Sequence, residues 1–149
     1  NVFVITKDNE ACCFTEEEYA LHKDIVREAV CGLGTLLLKN GEQLDQSGNT
    51  MPVANMEPRT AIGATADGKL ILLVCDGRNM RGSAGFTLAE LADKLIALGA
   101  VDAVNLDGGG SSTMVGGDGK VLNRPSDTGS AEVIVERKIS TAVVISEVN

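Results

Sequence analysis

The chain has 149 residues, of which 44% are apolar and 23% charged, as is usual for a globular domain with a single hydrophobic core. Its 13 Lys and Arg against 21 Asp and Glu give a net charge of −8. That balance argues against a nucleic-acid partner, because binding to a phosphate backbone needs clustered basic residues. No run of about 20 apolar residues occurs, so the sequence predicts no membrane span.

The first predicted elements are a strand over Val2–Thr6 and a helix that begins at the capping box Thr15-Glu16-Glu17-Glu18. In such a box the threonine hydroxyl and the glutamate carboxylate satisfy open backbone N–H groups at the helix start. Apolar residues then continue at helical spacing, which predicts that the helix extends to Gly32. The residues of this apolar face are Leu21, Ile25, Val26, Ala29 and Val30.

A second capping box, Thr87 with Glu90, predicts another helix that ends at Gly99. The remaining segments predict strands, over Thr35–Lys39, Thr60–Thr65, Leu70–Cys75, Ala103–Leu106, Thr113–Val115, Glu132–Glu136 and Thr141–Ser146. Tight turns are expected at Asn40-Gly41, Asp67-Gly68 and Asp118-Gly119. Strands joined by hairpins, with two principal helices, predict an α+β fold with a mixed, mainly antiparallel sheet, in one domain over residues 1–149.

The four cysteines give little direction about chemistry. None has the spacing of a zinc site, and the chain has only one histidine to add, so no zinc site is predicted. A disulfide between Cys12 or Cys13 and Cys31 stays open on sequence grounds.

The segment from Ala103 to Met114 contains the most suggestive polar groups. Asn105 and Asp107 follow an apolar strand with a spacing of two, so both should project from one face. The glycines after them let backbone N–H groups approach a ligand, and the serines add hydroxyls, so we interpret the run as a cradle for an anion or for sugar oxygens. The alternative is a plain glycine-rich turn. The run is Gly108, Gly109, Gly110, Ser111 and Ser112.

Three other segments combine arginine with small polar residues. They are Arg59-Thr60, Asp76-Gly77-Arg78 and the run from Asn123 through Arg124 and Ser126 to Asp127. Arginine binds phosphate oxygens through paired donors, which would explain basic groups in an acidic protein. Each segment also has a simpler interpretation as a surface turn.

Taken together, these segments resemble the phosphodiester glycosidase domain family. The resemblance rests on five motifs in the same order, with Glu136-Arg137 after them: Arg59-Thr60-Ala61-Ile62-Gly63, Asp76-Gly77-Arg78, Gly85-Phe86-Thr87, the run from Asn105 to Ser112, and Asn123-Arg124-Pro125-Ser126. Members usually have an Asn-Gly-Gly-Phe-type segment early in the domain, and none occurs here. The chain is therefore expected to be the C-terminal two-thirds of such a domain.

The resemblance implies a hydrolase that cleaves the bond between a sugar's anomeric carbon and a phosphodiester, releasing an N-acetylglucosamine-like sugar and a phosphomonoester. It implies Asp107 as the main catalytic carboxylate, with Asp76 as its partner, and Arg59, Arg124 and, less directly, Arg78 as groups that neutralise the phosphate. The other expected substrate contacts are Thr60, Asn105, Gly108, Gly109, Gly110, Ser111, Ser112 and Ser126.

No metal site or cofactor is predicted. Asp76, Asn105 and Asp107 offer oxygen atoms that a divalent cation accepts, but their spacing matches no known metal-binding loop. The expected partner is the sugar-1-phosphodiester substrate. A missing strand would expose a sheet edge, which favours a homodimer or pairing with the absent N-terminal segment. The resemblance implies an extracellular or cell-envelope location.

Three alternatives stay open at this point. The same cradle could recognise a phosphorylated glycan or a cell-envelope polymer without cleaving it, as a binding module. Ser111 or Ser112 could be the nucleophile of a serine hydrolase, although the GxSxG elbow is absent. The domain could also be purely structural, which would leave the arginines and the glycine run without a role.

Overall fold

The computed structural model describes residues 1–31, 35–47, 53–127 and 133–147. Eight strands and two helices occur in these ranges, together with a short 3₁₀ turn at Gly109–Ser111. In chain order they are β1 (Val2–Thr6), β2 (Ala11–Phe14), α1 (Glu16–His22), β3 (Val26–Cys31), β4 (Thr35–Lys39), β5 (Glu42–Gln43), β6 (Arg59–Thr65), β7 (Leu70–Cys75), α2 (Leu88–Ala97) and β8 (Ala100–Asn105).

The strands form two sheets, one of three strands in the order β2-β1-β3 and one of five in the order β5-β4-β8-β6-β7. Every strand pair in the described ranges is antiparallel. An isolated bridge between Ser126 and Val135 is parallel. The predicted α+β class is therefore confirmed. No helix in this part of the chain has the length and apolar character to cross a bilayer.

The five-stranded sheet is covered on both faces, which explains why most residues of its three central strands, β4, β6 and β8, are buried. On one face α2 packs Leu88, Leu91 and Leu95 against Leu37 and Ala103. The other face packs against the three-stranded sheet, through a cluster formed by Phe3, Cys13, Leu36, Ile62, Ala64 and Val104. The neighbouring β8 residues Ala103 and Val104 lie in different clusters, because successive side chains of a strand point to opposite faces.

A buried carboxylate connects the two sheets. Asp102 on β8 is 4% exposed, and its Oδ2 accepts a hydrogen bond of 2.6 Å from the backbone N–H of Cys13 on β2. Its Oδ1 accepts another, of 2.8 Å, from the N–H of Asn40 at the end of β4. A buried charge is tolerated where hydrogen bonds satisfy it, and here both carboxylate oxygens have backbone donors.

The first helix is shorter than predicted. It ends at His22, and Val26–Cys31 forms β3, which pairs antiparallel with β1. The predicted apolar face is not buried as a helix would bury it, since Leu21 is 76% exposed. Pairing with β1 decides the conformation of this segment, and helical spacing alone cannot reveal such a partner. The predicted stop at Gly32 lies outside the described residues.

Most strand predictions are confirmed in the N-terminal two-thirds of the chain, with small shifts. β6 begins at Arg59, and β8 occupies Ala100–Asn105 rather than Ala103–Leu106. The short strands β2 and β5 were not predicted. The three turn glycines have the positive φ expected of them, at Gly41 (83°), Gly68 (81°) and Gly119 (78°).

The strands predicted near the C-terminus do not form in the described ranges. In the predicted strand Thr113–Val115, only Val115 forms a β-bridge, and its partner is Val121. The predicted strand Thr141–Ser146 is exposed and has no regular secondary structure. Val135 bridges Ser126, while Glu132 of that predicted strand lies outside the described residues. Alternating apolar residues need a neighbouring strand to pair with, and these segments have none in this part of the chain.

All four cysteines are free. Cys12 lies on β2 and Cys31 on β3, which flank β1 on opposite sides. The disulfide that the sequence left open is therefore not formed.

The capping box of α2 gives a pH-dependent test of the fold. The Glu90 carboxylate accepts a hydrogen bond of 2.9 Å from the Thr87 N–H, and this contact lowers the pKa of Glu90. Because the folded pKa lies below the unfolded value of about 4.3, the stabilisation is present above that pH and is lost as pH falls through the folded pKa. Urea unfolding should show Glu90→Ala less stable than the wild-type chain at neutral pH, with the gap shrinking in acid. A gap of equal size at both pH values would contradict this.

Candidate active site

A cleft of about 930 Å³ opens beside β6 and β7 and the segment that follows β8. Most of its lining is apolar, and Thr60, Asp107, Ser111 and Arg137 bring polar groups to it. Asp107 is the only carboxylate among the described residues that line it. A second hollow, of about 660 Å³, lies near Gln43–Ser47 and contains none of the predicted site residues.

Asp107 comes two residues after the end of β8 and is exposed. One of its carboxylate oxygens accepts a hydrogen bond of 2.9 Å from the N–H of Gly108. The strand fixes the position from which Asp107 projects, while the side chain itself remains open to solvent. This arrangement gives an ionisable group that can reach a bound substrate.

The glycine run after Asp107 is held against the backbone just before β6. The N–H of Gly109 donates a hydrogen bond of 2.8 Å to the carbonyl oxygen of Pro58. A Cβ on Gly108 would lie 2.7 Å from that same oxygen, so only glycine fits here without a shift. The predicted cradle is therefore fixed against β6 through Pro58.

Two further motif glycines meet the same short segment. A Cβ on Gly77 would lie 2.5 Å from the Pro58 nitrogen, and one on Gly85 would lie 2.5 Å from the carbonyl carbon of Glu57. Three motifs far apart in sequence thus converge on Glu57-Pro58. Glu57 and Pro58 were not identified as site residues from the sequence. The only local feature that could have indicated them is the proline directly before the Arg59 motif.

Asp76 connects its own motif to the one that contains Arg124. Its Oδ1 accepts hydrogen bonds from the Nδ2 of Asn123 at 3.2 Å and from the backbone N–H of Arg124 at 2.8 Å. Asp76 is not among the residues that line the cleft. Its carboxylate therefore holds the Asn123-Arg124 segment in place, and its catalytic partnership with Asp107 stays a prediction.

Arg59 lies apart from the cleft. It is 4% exposed, its Nε donates to the carbonyl of Phe86 at 2.9 Å, and its Nη2 donates to the carbonyl of Asn55 at 2.8 Å. Burial lowers the pKa of this guanidinium, and nearby Glu57 opposes that shift. The geometry favours a structural role in the segment before α2 over the predicted phosphate contact.

Arg78 is half-exposed beside the glycine turn. Its Nε pairs with the Glu57 carboxylate at 3.0 Å, and its Nη1 donates to the carbonyl of Ser126 at 3.3 Å. Its backbone has a φ of +53°, which is uncommon for a residue with a side chain. Arg78 thus joins two motifs, but it does not line the cleft.

Of the remaining predicted site residues, some line the cleft and others are buried. Thr60 lines the cleft, and its hydroxyl bonds to that of buried Ser112 at 3.1 Å. Asn105 is 1% exposed and does not line the cleft, so it does not share the setting of Asp107 as predicted. Three buried polar atoms lack a hydrogen-bond partner among the residues that the structure describes: Asn105 Oδ1, Arg124 Nε and Ser126 Oγ.

Arg137 is a cleft residue to which the sequence assigned no role. Its Nε donates to Asp127 Oδ1 at 2.7 Å, and its Nη1 donates to the hydroxyl of Ser111 at 3.3 Å. The pair Glu136-Arg137 was visible as a motif, but its proximity to the glycine run was not. Across the described ranges, no group of three or more His, Cys, Asp and Glu residues is placed to bind a metal ion.

Comparison with known proteins gives consistent results. The chain is 35% identical over 108 residues to the N-acetylglucosamine-1-phosphodiester alpha-N-acetylglucosaminidase of Bos taurus, covering 71% of this chain and 20% of that protein. It is also 35% identical over 115 residues to the SPbeta prophage-derived uncharacterized protein YomE of Bacillus subtilis (strain 168), covering 76% of this chain and 16% of that protein. The chain thus spans about a fifth or less of these relatives' length.

Solved structures add a match in three dimensions. The zebrafish N-acetylglucosamine-1-phosphodiester alpha-N-acetylglucosaminidase catalytic domain, auto-inhibited by its pro-peptide, aligns with a TM-score of 0.66 at 29% identity, covering 84% of this chain and 44% of that chain. A hypothetical protein from Synechocystis aligns with a TM-score of 0.57 at 34% identity, covering 68% and 19%. The family model described as phosphodiester glycosidase matches residues 1–146. The chain therefore belongs to the phosphodiester glycosidase family.

Proposed function

We propose that this chain contains the catalytic cleft of a hydrolase that separates a sugar from a phosphodiester at the anomeric carbon. The observation that carries the proposal is the cleft itself, where an exposed Asp107 lies beside a glycine run fixed to Pro58. Family membership supports the reaction class. The bovine relative's name supports N-acetylglucosamine as the sugar.

In the proposed reaction the bond between the anomeric carbon and the phosphate oxygen breaks, and its electron pair stays on the phosphate. Water supplies the new hydroxyl on the anomeric carbon and gives up one proton. Asp107 either accepts that proton or first attacks the anomeric carbon; glycosidases use carboxylates in both ways. Because phosphate leaves as a stabilised anion, a fixed positive charge near it contributes more than an acid that protonates it.

The first experiment measures free N-acetylglucosamine released from UDP-N-acetylglucosamine by the wild-type chain. The matched control substrate is methyl N-acetyl-α-glucosaminide, which has the same sugar but a neutral leaving group. We expect release from the phosphodiester and little from the methyl glycoside. Equal rates on both would contradict the selectivity for phosphodiesters.

Two outcomes would instead favour the alternatives. Saturable binding of UDP-N-acetylglucosamine without any release would favour a binding module. Covalent labelling of Ser111 by a serine-reactive phosphonate would favour a serine hydrolase. The contacts of Ser111 argue against a serine hydrolase. Its hydroxyl accepts a hydrogen bond from Arg137, and its described hydrogen bonds include none to a general base.

A further inference from the structure

Arg137 is the guanidinium that the described structure brings to the cleft. It lines the cleft together with Asp107 and Ser111, and its side chain is 43% exposed. The other arginines of the motifs, Arg59, Arg78 and Arg124, do not line it. Arg59 donates to backbone carbonyls, and Arg78 pairs with Glu57 and donates to the carbonyl of Ser126. We propose that Arg137 binds the phosphate group of the substrate, with Asp127 as its positioning residue. This inference rests on the proposed function and identifies the residue that recognises the phosphate.

Asp127 fixes the orientation of the guanidinium. Its Oδ1 accepts from Arg137 Nε at 2.7 Å and pairs with Nη2 at 2.6 Å, which occupies one edge of the planar group. Nη1 is then directed to the hydroxyl of Ser111, 3.3 Å away. A guanidinium has five N–H donors, so this arrangement leaves donors near Ser111 for a ligand. Holding the side chain in place also reduces the entropy lost when an anion binds.

Ser111 extends the same site. Its oxygen accepts the hydrogen bond from Arg137, so its own proton is available for an acceptor in the cleft. A phosphate oxygen at this position would receive one charge-assisted bond from arginine and one from the serine hydroxyl. The two donors come from segments that are 26 residues apart in the sequence.

Gly110 allows the arginine to pass close to the turn. A Cβ at this position would lie 2.8 Å from Arg137 Nη2 and would also overlap the Asp127 carboxylate. Gly110 is buried beneath the ion pair. The glycine run therefore serves a second purpose besides bringing its backbone close to Pro58, because it makes room for the ion pair between Arg137 and Asp127.

The test measures UDP binding by calorimetry, because UDP is the phosphate-containing product of the proposed reaction. We expect Arg137→Gln to weaken UDP binding by about 10- to 100-fold, the usual effect of losing charge-assisted hydrogen bonds. Arg137→Lys keeps the charge without the paired donors, so its affinity for UDP should lie between those of the wild-type chain and Arg137→Gln. The matched control is Lys69→Gln, which removes the same charge from an exposed residue that pairs with Asp67 and does not line the cleft, and it should change binding by less than about threefold.

Uridine, which lacks phosphate, separates recognition of the phosphate from recognition of the base. Arg137→Gln should leave uridine binding unchanged. Asp127→Asn should weaken UDP binding about three- to tenfold with no effect on uridine, whereas a merely structural role would change both or neither. If Arg137→Gln does not fold, Ser111→Ala is expected to show the same selective loss.

Three results would overturn the inference: no UDP binding by the wild-type chain, equal binding of UDP and uridine, or unchanged UDP binding in Arg137→Gln. Failure of the proposed function looks different, because it appears as no release of N-acetylglucosamine. A chain that binds UDP through Arg137 without releasing sugar would retain this inference and discard the hydrolase.

Discussion

Replacing Asp107 by Asn is expected to lower kcat for release of N-acetylglucosamine by about 100- to 10,000-fold, the range over which a positioned acid or base contributes. Asn has nearly the same size but neither accepts a proton nor attacks carbon effectively. The effect should be large because Asp107 is the only carboxylate among the described residues lining the cleft. UDP affinity should change little, since in the proposed reaction the carboxylate acts at the anomeric carbon and not on the phosphate.

The matched control is Asp67→Asn in the turn between β6 and β7. Asp67 is exposed, pairs with Lys69, and lies at the opposite end of the hairpin from Arg59 and Cys75. This variant should turn over at the wild-type rate. Release by Asp107→Asn within about threefold of wild type would remove Asp107 from the mechanism, given the size of effect expected.

Gly85→Ala is expected to cost about 3 kcal/mol or more of unfolding free energy, because two penalties act together. The backbone at Gly85 has a φ of +98°, which a residue with a side chain rarely adopts. The new Cβ would also lie 2.5 Å from the carbonyl carbon and 2.8 Å from the nitrogen of Glu57. Backbone atoms cannot move aside as a flexible side chain can. Urea unfolding measures this loss.

Gly68→Ala separates the two penalties. Gly68 has a φ of +81°, but a Cβ there would meet nothing within 4 Å. Its cost should therefore be the conformational part alone, about 1 kcal/mol. Equal losses in the two variants would show that the contact with Glu57 contributes nothing, and would weaken the argument that Glu57-Pro58 organises the site.

Features that depend on neighbouring residues in the sequence were predictable. Both capping boxes form as expected, with Thr15 and Thr87 accepting from the third residue of each helix. Hairpin turns at Gly41 and Gly68 likewise follow from local backbone preferences. The segment Val26–Cys31 was predicted wrongly, because its conformation depends on β1, whose paired residues are 20 to 29 positions away in the sequence.

In the candidate site, too, features set by neighbouring residues were predictable and features set by distant partners were not. Asp107 and the glycine run could be recognised because a strand end, an acid and glycines are consecutive in the sequence. Arg59 looked like a phosphate ligand, but its guanidinium donates to the backbone carbonyls of Phe86 and Asn55, partners that the sequence does not reveal. The next β6 residues, Thr60 and Ala61, line the cleft, and Arg59 does not. Arg137 was missed because its contacts with Ser111 and Asp127 bridge 26 and 10 residues of sequence.

Several expectations from the sequence stay predictions. They include the part of the domain that the chain represents, the extracellular or cell-envelope location, pairing with another chain, and the absence of a cofactor. Strand β7 is an edge of the five-stranded sheet, and Leu70 and Leu72 on it are each 38% exposed. Such an edge is where a further strand would be added, so gel filtration of the chain is a direct measurement of the predicted dimer.

The buried carboxylate of Asp102 also has a consequence for how the domain opens. Separating the three-stranded sheet from the five-stranded one would leave this charge without its donor from Cys13, a costly intermediate for any partial opening. The two sheets should therefore behave as a single cooperative unit. In native-state hydrogen exchange, the amide protons of Cys13 and Asn40 should exchange only through global unfolding, with the same dependence on denaturant.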